Sequence, residues 1–458
     1  MSSRFEEKTF HMPSNAKNVP QSWTWQRLDK ICLTIIDCPH STPTINSDGP
    51  LMVRTQDILS GTFRAENAAH VSEATYQERI KRAEPTEGDL LYSREGTYFG
   101  IAAEVPSNVR VCLGQRMVLL RPDPTQIYFR FLRYWLNSSI ITSHVYGLRN
   151  GSVAERLNLS TICGLPVLIP SLSEQRAIAH IIGPLDNKIE LNRCMNDTLE
   201  DIAQTLFKSW FLDFDPVKAK VEGQKPEGID DSNASLFPSH FSESVLGSIP
   251  EGWTVDDLGN LSSVAIGRTP PRKEPEWFTE NPAYNKWISI RDLGMASVYS
   301  TRVSEYLTDE AISKFRIPLI KEGTVILSFK LTMGRVAITS EDMYSNEAIA
   351  QFNLDNSPLT PNYLYLHLRS YDYSILGSTS SIATAVNSQS LKTIKIIVPP
   401  PNILKAFECQ VIPLMKKIKD NISITEMLKE TRELLLPSFI SGKLRVGEIK
   451  EIVEVVAL

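Results

Sequence analysis

An α+β (mixed) fold is predicted, in which two α/β domains are separated by two long helices that form an antiparallel coiled coil about an internal pseudo-twofold. Three observations predict it. Short β-rich runs such as "DLLYS", "MVLLRP", "TVILSF" and "AQFNL" alternate with turn residues, as expected of mixed α/β domains. Two remote segments, "SLSEQRAIAHIIGPLDNKIELN" and "PPNILKAFECQVIPLMKKIKDN", share one apolar pattern and an internal proline at the same place. The segments around them recur in the same order, which marks an internal repeat.

Residues 1–18 read as a polar tail without an apolar signal core. The first domain, 19–170, opens on "VPQSWTWQRLDKI" and closes on "LPVLIP". The second, 249–399, opens on the similar "IPEGWTVDDLGNL" and closes on "IKIIVP". Inside them "GDLLYSREGTYFGIAAEV" resembles "GTVILSFKLTMGRVAIT", and "YFRFLRYWLNS" resembles "NYLYLHLRSYD". Helical regions follow at 171–215 and 400–445. Residues 216–248, rich in Pro, Gly, Ser and Asp, read as a linker, and 446–458 as a tail.

In the first helical region Ile178, Ile182, Leu185, Ile189, Asn192, Asn196, Leu199, Ala203, Leu206 and Trp210 recur at alternating steps of four and three. Phe407, Val411, Leu414, Ile418, Asn421, Thr425, Leu428, Arg432, Leu435 and Phe439 repeat them at a shift of 229 residues. That is a sustained heptad seam. A helix from Ile178 to Trp210 is roughly 50 Å long at about 1.5 Å per residue. One small domain cannot cover it, so the natural partner of each helix is the other.

Periodicity alone does not set their orientation, but duplicated halves close most easily about a twofold. An antiparallel pair would set Asn192 against Thr425 and Asn196 against Asn421. Buried Asn at a seam costs stability and fixes register. Pro184 and Pro413 match under the same shift and are expected to kink or delay their helices. Arg432 interrupts the apolar seam and is expected either to snorkel or to touch a partner. Trp210, Phe211 and Phe439, near the helix ends, either pack internally or mark docking sites.

The 458 residues are 42% hydrophobic and 22% charged, which suits a soluble chain of several domains. No apolar run approaches the ~18 residues of a membrane span. Six scattered cysteines with no CxxC pair argue against zinc or dithiol chemistry and fit a reducing cytoplasm. A net charge of −5 argues against a bulk nucleic-acid coat but leaves room for a local basic groove. GxxxxGK[ST], HExxH and GxSxG are absent, so no nucleotide-cradling loop, zinc protease or hydrolase elbow is expected. "NPAY" (Asn281 to Tyr284) resembles the Asn-Pro-Pro-Tyr loop of amino-methyltransferases, but Ala283 departs from it and no glycine-rich cofactor turn lies near. The seven His are isolated, and neither a catalytic residue nor a metal site is expected.

The polar loops read better as nucleic-acid contacts. "GRTPPRKEPEW" packs Arg268, Thr269, Arg272 and Lys273 among Gly and Pro. "SFKLTMGR", with Lys330, Thr332 and Arg335, and "SREGTYFG", with Arg94 and Tyr98, put basic, hydroxyl and aromatic or Met residues at equivalent places. "YGLRNGSVAERLN" adds Arg149 and Asn150, and Arg54 and Gln56 complete the candidates. Arg can pair with guanine, and Asn or Gln with adenine, through two hydrogen bonds. Two such readers held roughly 50 Å apart would span about one and a half DNA turns.

Taken together, "SLSEQRAIAHIIGPLDNKIELN", "LFKSWFLDFDPVKAK" closing the first helix, "SVLGSIPEGW" opening the second half and "GRTPP" after it resemble the specificity subunit of type I restriction–modification systems. "DCPHSTP" (Asp37 to Pro43) looks like an opening loop of one first-half recognition-domain variety. The resemblance covers nearly the whole chain after about residue 18. It implies a non-catalytic, cytoplasmic reader of double-stranded DNA, in which each recognition domain reads half of a split, asymmetric site. The coiled coil would set the gap and dock methyltransferase subunits. S-adenosylmethionine would sit on those subunits, ATP and Mg on restriction subunits, and no cofactor on this chain. The second helix lacks the "SEQRAI" run and is expected to be a degenerate version of the first. The alternatives are a coiled-coil scaffold or adaptor that binds protein only, and a self-contained methyltransferase or nuclease.

Overall fold

The computed structural model describes residues 19–59, 61–96, 99–148, 156–330, 332–376 and 387–445; the expected tails, 1–18 and 446–458, lie outside them. Two compact units divide the described residues: one holds those up to Ile189 together with those from Met427 onward, the other holds Glu190–Glu426. No helix among them is long and apolar enough to cross a membrane.

The principal strands of the first unit are β1 (Thr24–Arg27), β2 (Cys32–Asp37), β3 (Asn46–Val53), β4 (Leu90–Ser93), β5 (Ala102–Glu104), β6 (Val111–Leu113), β7 (Met117–Pro122) and β8 (Pro166–Ile169). The sheet runs β2-β7-β4-β5, with all neighbours antiparallel. Leu90, Tyr92, Val118 and Leu120 enter one core, and Leu91, Met117 and Leu119 enter another. Successive side chains of a strand point to opposite faces, so both faces are covered. On the first face the helix Phe129–Asn137 buries Phe131, Leu132, Trp135 and Leu136. Trp135 Nε1–H donates to the Pro166 carbonyl at 2.8 Å and ties that helix to β8, the antiparallel partner of β1. Beside the sheet, β3 runs parallel to β6, with Val53 opposite Leu113.

The second unit repeats this plan with β9 (Thr254–Asp257), β10 (Ser263–Ile266), β11 (Asn285–Ile288), β12 (Tyr299–Ser300), β13 (Val325–Ser328), β14 (Val336–Thr339), β15 (Tyr344–Ser345), β16 (Ile349–Asn353) and β17 (Lys395–Val398). Its sheet order is β10-β16-β13-β14-β12. Val325, Leu327, Ile338 and Phe352 face one core, and Ile326, Ala337 and Ile349 the other. The helix Pro361–Ser370 is clipped to β17 by the Tyr363 hydroxyl, which donates to the Ile397 carbonyl at 2.7 Å. β17 is the antiparallel partner of β9, and β11 runs parallel to β15 with Ile288 opposite Ser345.

Residues 216–248 correct the linker expectation. Helices Asp215–Val221 and Asp231–Leu236 and a hairpin of Phe241–Ser244 with Gly247–Pro250 occupy most of the stretch. Val217, Phe237 and Ile249 are buried in the second unit's core beside Phe214. Phe237 stands perpendicular to Trp210 at 5.0 Å between ring centroids. A few apolar anchors outweigh a polar composition because each buried side chain of this size contributes about 1.5–3 kcal/mol.

Both long helices span 40 residues, Leu172–Phe211 and Pro401–Ile440, and each runs through its proline at the same distance from its start. The second is therefore not shortened. At its start Leu404 is buried where the first helix has Gln175. Gln175 instead accepts from Tyr128 N (2.6 Å) and donates to the Pro170 carbonyl (2.9 Å). Within the second unit the helices are antiparallel: Asn192 Nδ2 donates to Thr425 Oγ1 at 3.3 Å, and Asn421 Nδ2 to Asn196 Oδ1 at 2.9 Å. Further along, Trp210 meets Phe407 at 5.9 Å between centroids. Trp210 and Phe211 pack internally there, and Phe439 does so in the first unit.

Within the first unit the helices are antiparallel too. Arg432 Nη1 donates to Asp186 at 3.0 Å, and the same carboxylate accepts from Arg133 (2.8 Å) and the Tyr134 hydroxyl (2.9 Å). Arg133 Nε also lies 2.8 Å from Glu104. The seam arginine is thus ion-paired inside its own unit. Near the helix start, Glu174 accepts from the Trp23 indole at 3.1 Å and pairs with Arg445 at 2.7 Å. Gly442 takes a left-handed φ of +73° against Pro20 and Trp23, where any side chain would overlap Pro20.

Asn421→Ala leaves the buried Asn196 carbonyl without its donor and is expected to cost about 1–3 kcal/mol in urea denaturation. Burial pushes the Asp186 carboxyl up, but the charges and hydrogen bonds of Arg133 and Arg432 outweigh this and hold it below its usual range. The stability so gained is complete above the unfolded carboxylate value of about 3.9 and is lost as pH falls through the folded value. Asp186→Asn should therefore melt lower than wild type at neutral pH, with the gap closing on acidification below about pH 4.

Candidate nucleic-acid interface

One end of each sheet gathers the polar loops. In the second unit Ser328, the last residue of β13, pairs with Ile349, the first of β16, and Ile266 at the end of β10 pairs with Ala350. Residues 267–277, 329–330, 332–335 and 346–348 therefore share one edge. The parallel pairing of β11 with β15 delivers a one-turn helix, Ile290–Leu293, to the same edge.

Specific contacts fix these loops. Thr269 Oγ1–H donates to the Glu347 carboxylate. Arg268 N donates to the Ser345 carbonyl at 2.9 Å, and the Trp287 indole donates to the Arg268 carbonyl at 3.1 Å. Gly267 lies so close to Ser345 and Asn346 that a Cβ there would overlap their oxygens. The one-turn helix is closed by a capping box between Ser289 and the buried Asp292.

The first unit builds the same edge from different residues. Asp37 at the end of β2 pairs with Val118, and Ser93 at the end of β4 with Met117, so the loops after them lie side by side. Gln115 Nε2 donates to Thr42 Oγ1 and to the His40 carbonyl, each at 2.9 Å. Gln115 thus closes a Thr–Pro turn (Thr42, Pro43), as Glu347 closes Thr269 and Pro270. The 3-10 turn Thr55–Asp57 follows β3 and is closed by the buried Asp57 carboxylate, which accepts from Arg54 N at 2.8 Å and from the Arg54 guanidinium.

The expected contact residues fall into these two groups. Arg54 is held by Asp57 (3.0 and 2.9 Å) and by the Asn67 carbonyl (3.1 Å). Arg94 donates to Asp37 at 2.6 Å. Gln56 is exposed, with no side-chain partner among the described residues. Tyr98, Arg149 and Asn150 lie outside the described residues. On the other edge, Arg268 donates to the Phe315 carbonyl at 2.9 Å. Arg272 bridges to Glu305 through both terminal nitrogens (2.6 and 2.8 Å) and lies over Phe278 at 4.2 Å. Arg335 donates to the Ile290 carbonyl at 2.7 Å and leans on Gly294. Lys273 and Lys330 are exposed, and Thr332 N closes a tight turn onto the Lys330 carbonyl at 2.6 Å.

Sequence reasoning missed Arg291. It is exposed on the one-turn helix, at the place that Gln56 holds in the first unit. The signal was the alignment of "VRTQDI" with "ISIRDL", in which Asp57 matches Asp292. Among the described residues no group of His, Cys, Asp and Glu is placed to hold a metal ion. In "NPAY" the Asn281 side chain is engaged, accepting from Ala283 N at 3.0 Å in an exposed turn.

Comparisons with known proteins agree on one family. A family model described as the type I restriction modification DNA specificity domain matches residues 47–201 and 250–429. The type I restriction enzyme HindI specificity subunit of Haemophilus influenzae is 26% identical over 445 residues, covering 86% of this chain and 94% of its own. The type I restriction enzyme MjaIX specificity subunit of Methanocaldococcus jannaschii is 27% identical over 328 residues, covering 70% of each chain. The crystal structure of the type I restriction-modification system S subunit from M. genitalium shares the fold, with a TM-score of 0.51 at 14% identity over 92% of this chain and 96% of that one.

The close approach at Gly267 carries a prediction. Gly267→Ala must push the loop off the backbone before β16, an overpacking change expected to cost about 1–3 kcal/mol. A lower urea midpoint for the variant checks it.

Proposed function

The chain belongs to the type I restriction–modification DNA specificity family, and on that premise we propose that it is the subunit that chooses the DNA site, each unit's loop edge reading one half of a bipartite sequence. One observation carries this reading. Both units build the same edge, with a clipped Thr–Pro turn and a one-turn helix closed by a buried aspartate, yet expose different side chains on it. A shared scaffold with unlike readers suits an asymmetric site, because sequence is read by side-chain contacts to base edges while phosphate contacts set position.

The matched long helices would set the gap between the half-sites, and their buried Asn layers would keep it constant. Methyltransferase subunits would dock on the helices. Leu191, Ile202 and Ile412 of one unit and Met427 and Leu434 of the other are exposed apolar side chains outside the seam, which supports such a cover. The chemistry would belong to partners: S-adenosylmethionine on the methyltransferase subunits, ATP and Mg on restriction subunits, and none on this chain.

Two measurements test this. The purified complex with its methyltransferase subunits, offered randomised duplex DNA, should methylate a bipartite asymmetric site; methylation without sequence preference would overturn the reading. One heptad added to both long helices should change the spacer or abolish binding while leaving both half-sequences intact. An unchanged spacer would remove the helices from that role.

A further inference from the structure

The two one-turn helices are equivalent elements. Each follows a strand that pairs in parallel with the strand leading into the second of its sheet's order, β7 or β16: β3 beside β6 and β11 beside β15. Each is closed by the carboxylate of a buried aspartate, Asp57 or Asp292, which accepts from the backbone N–H three residues earlier, and is followed by a buried aliphatic residue, Ile58 or Leu293. The position before that aspartate is thus held on a rigid turn with its side chain exposed: Gln56 in one unit, Arg291 in the other. A reader of base edges needs such support, since a site held about 1 Å too loosely loses its discrimination.

Availability separates these two residues from their neighbours. Arg54, Arg94, Arg268, Arg272 and Arg335 already spend donors on Asp57, Asp37, the Phe315 carbonyl, Glu305 and the Ile290 carbonyl. Gln56 and Arg291 have no side-chain partner among the described residues. Lys273 and Lys330 are exposed as well, but an ammonium is a point charge suited to phosphate, whereas the guanidinium fork matches two acceptors at once. The fork fits O6 and N7 of guanine, and the Gln amide, one donor and one acceptor, fits N7 and the amino group of adenine.

We propose that Arg291 and Gln56 are base-reading residues at equivalent places, Arg291 selecting a guanine in one half-site and Gln56 an adenine in the other. This rests on the DNA-reading function proposed above. Arg54, Arg94, Arg272 and Arg335 then shape the edge, and Lys273 and Lys330 hold the backbone.

The test uses the complex of the full chain with its methyltransferase subunits and a library of duplexes varied one base pair at a time. Arg291→Ala should relax one G·C position in a single half-site by about tenfold to a hundredfold, with the other half-site and the spacer as in wild type. Arg291→Lys should relax the same position while keeping non-specific affinity and its salt dependence. Gln56→Ala should relax one A·T position in the opposite half-site. The untouched half-site reports that each variant is folded. A uniform loss across all sequences with a shallower salt slope would make Arg291 a phosphate contact and overturn the assignment, as would unchanged preferences. A wild-type complex without any sequence preference would overturn the parent reading and this one together.

Discussion

The fold depends on where buried amides can find partners. Asn196 and Asn421 are both buried and joined by one hydrogen bond, and the layer beside them joins Asn192 to Thr425. A slip of one heptad would strand these polar groups against apolar neighbours, at a cost of several kcal/mol for two unpaired amides. Leucine at the same layers would pack more tightly but would tolerate several registers. In the other unit the same work falls to Asp186, which holds Arg133, Tyr134 and Arg432 at one carboxylate. The helices are therefore registered by hydrogen bonds set into an apolar seam, and the seam supplies the attraction.

The loop edges follow a related logic. Rigid parts are made internally: the Gln115 and Glu347 clips, the turns closed by Asp57 and Asp292, the close approach at Gly267. Most arginines of the edges are tied to carboxylates or backbone carbonyls of their own unit. A scaffold satisfied from within leaves only a few side chains whose hydrogen bonds are still to be made, and those can differ between units without disturbing the fold. Division of this kind lets one architecture present different surfaces.

Much of this was legible in the sequence, for reasons that differ by element. The helices declared themselves because a heptad is a local signal repeated many times, and one shift aligned Asn192 and Asn196 with Asn421 and Thr425. The strands showed through their apolar runs. The stretch 216–248 was misread because Val217 and Phe237 are two anchors in a polar passage, and their burial depends on Phe214 and Trp210. The arginine-bearing loops were visible as clusters. Which arginines were already engaged was not, since Glu305 and Asp37 are remote from Arg272 and Arg94 in the chain. Arg291 escaped because it sits in an ordinary helical run, without the Gly and Pro that draw attention to a loop.

The division of the chain into units has a consequence for biosynthesis. Glu190–Glu426 is contiguous in sequence, so it can close as soon as that stretch is made. The other unit is not contiguous. Trp23, Phe131 and Ile182 share a core with Phe439 and Ile440, and Glu174 waits for Arg445. That unit therefore begins to emerge before the other and is completed after it, with part of its apolar surface open until Phe439, Ile440 and Arg445 have been made. An early stop that removed only the last helical turns would injure the unit at the opposite end of the sequence and leave the nearer one intact.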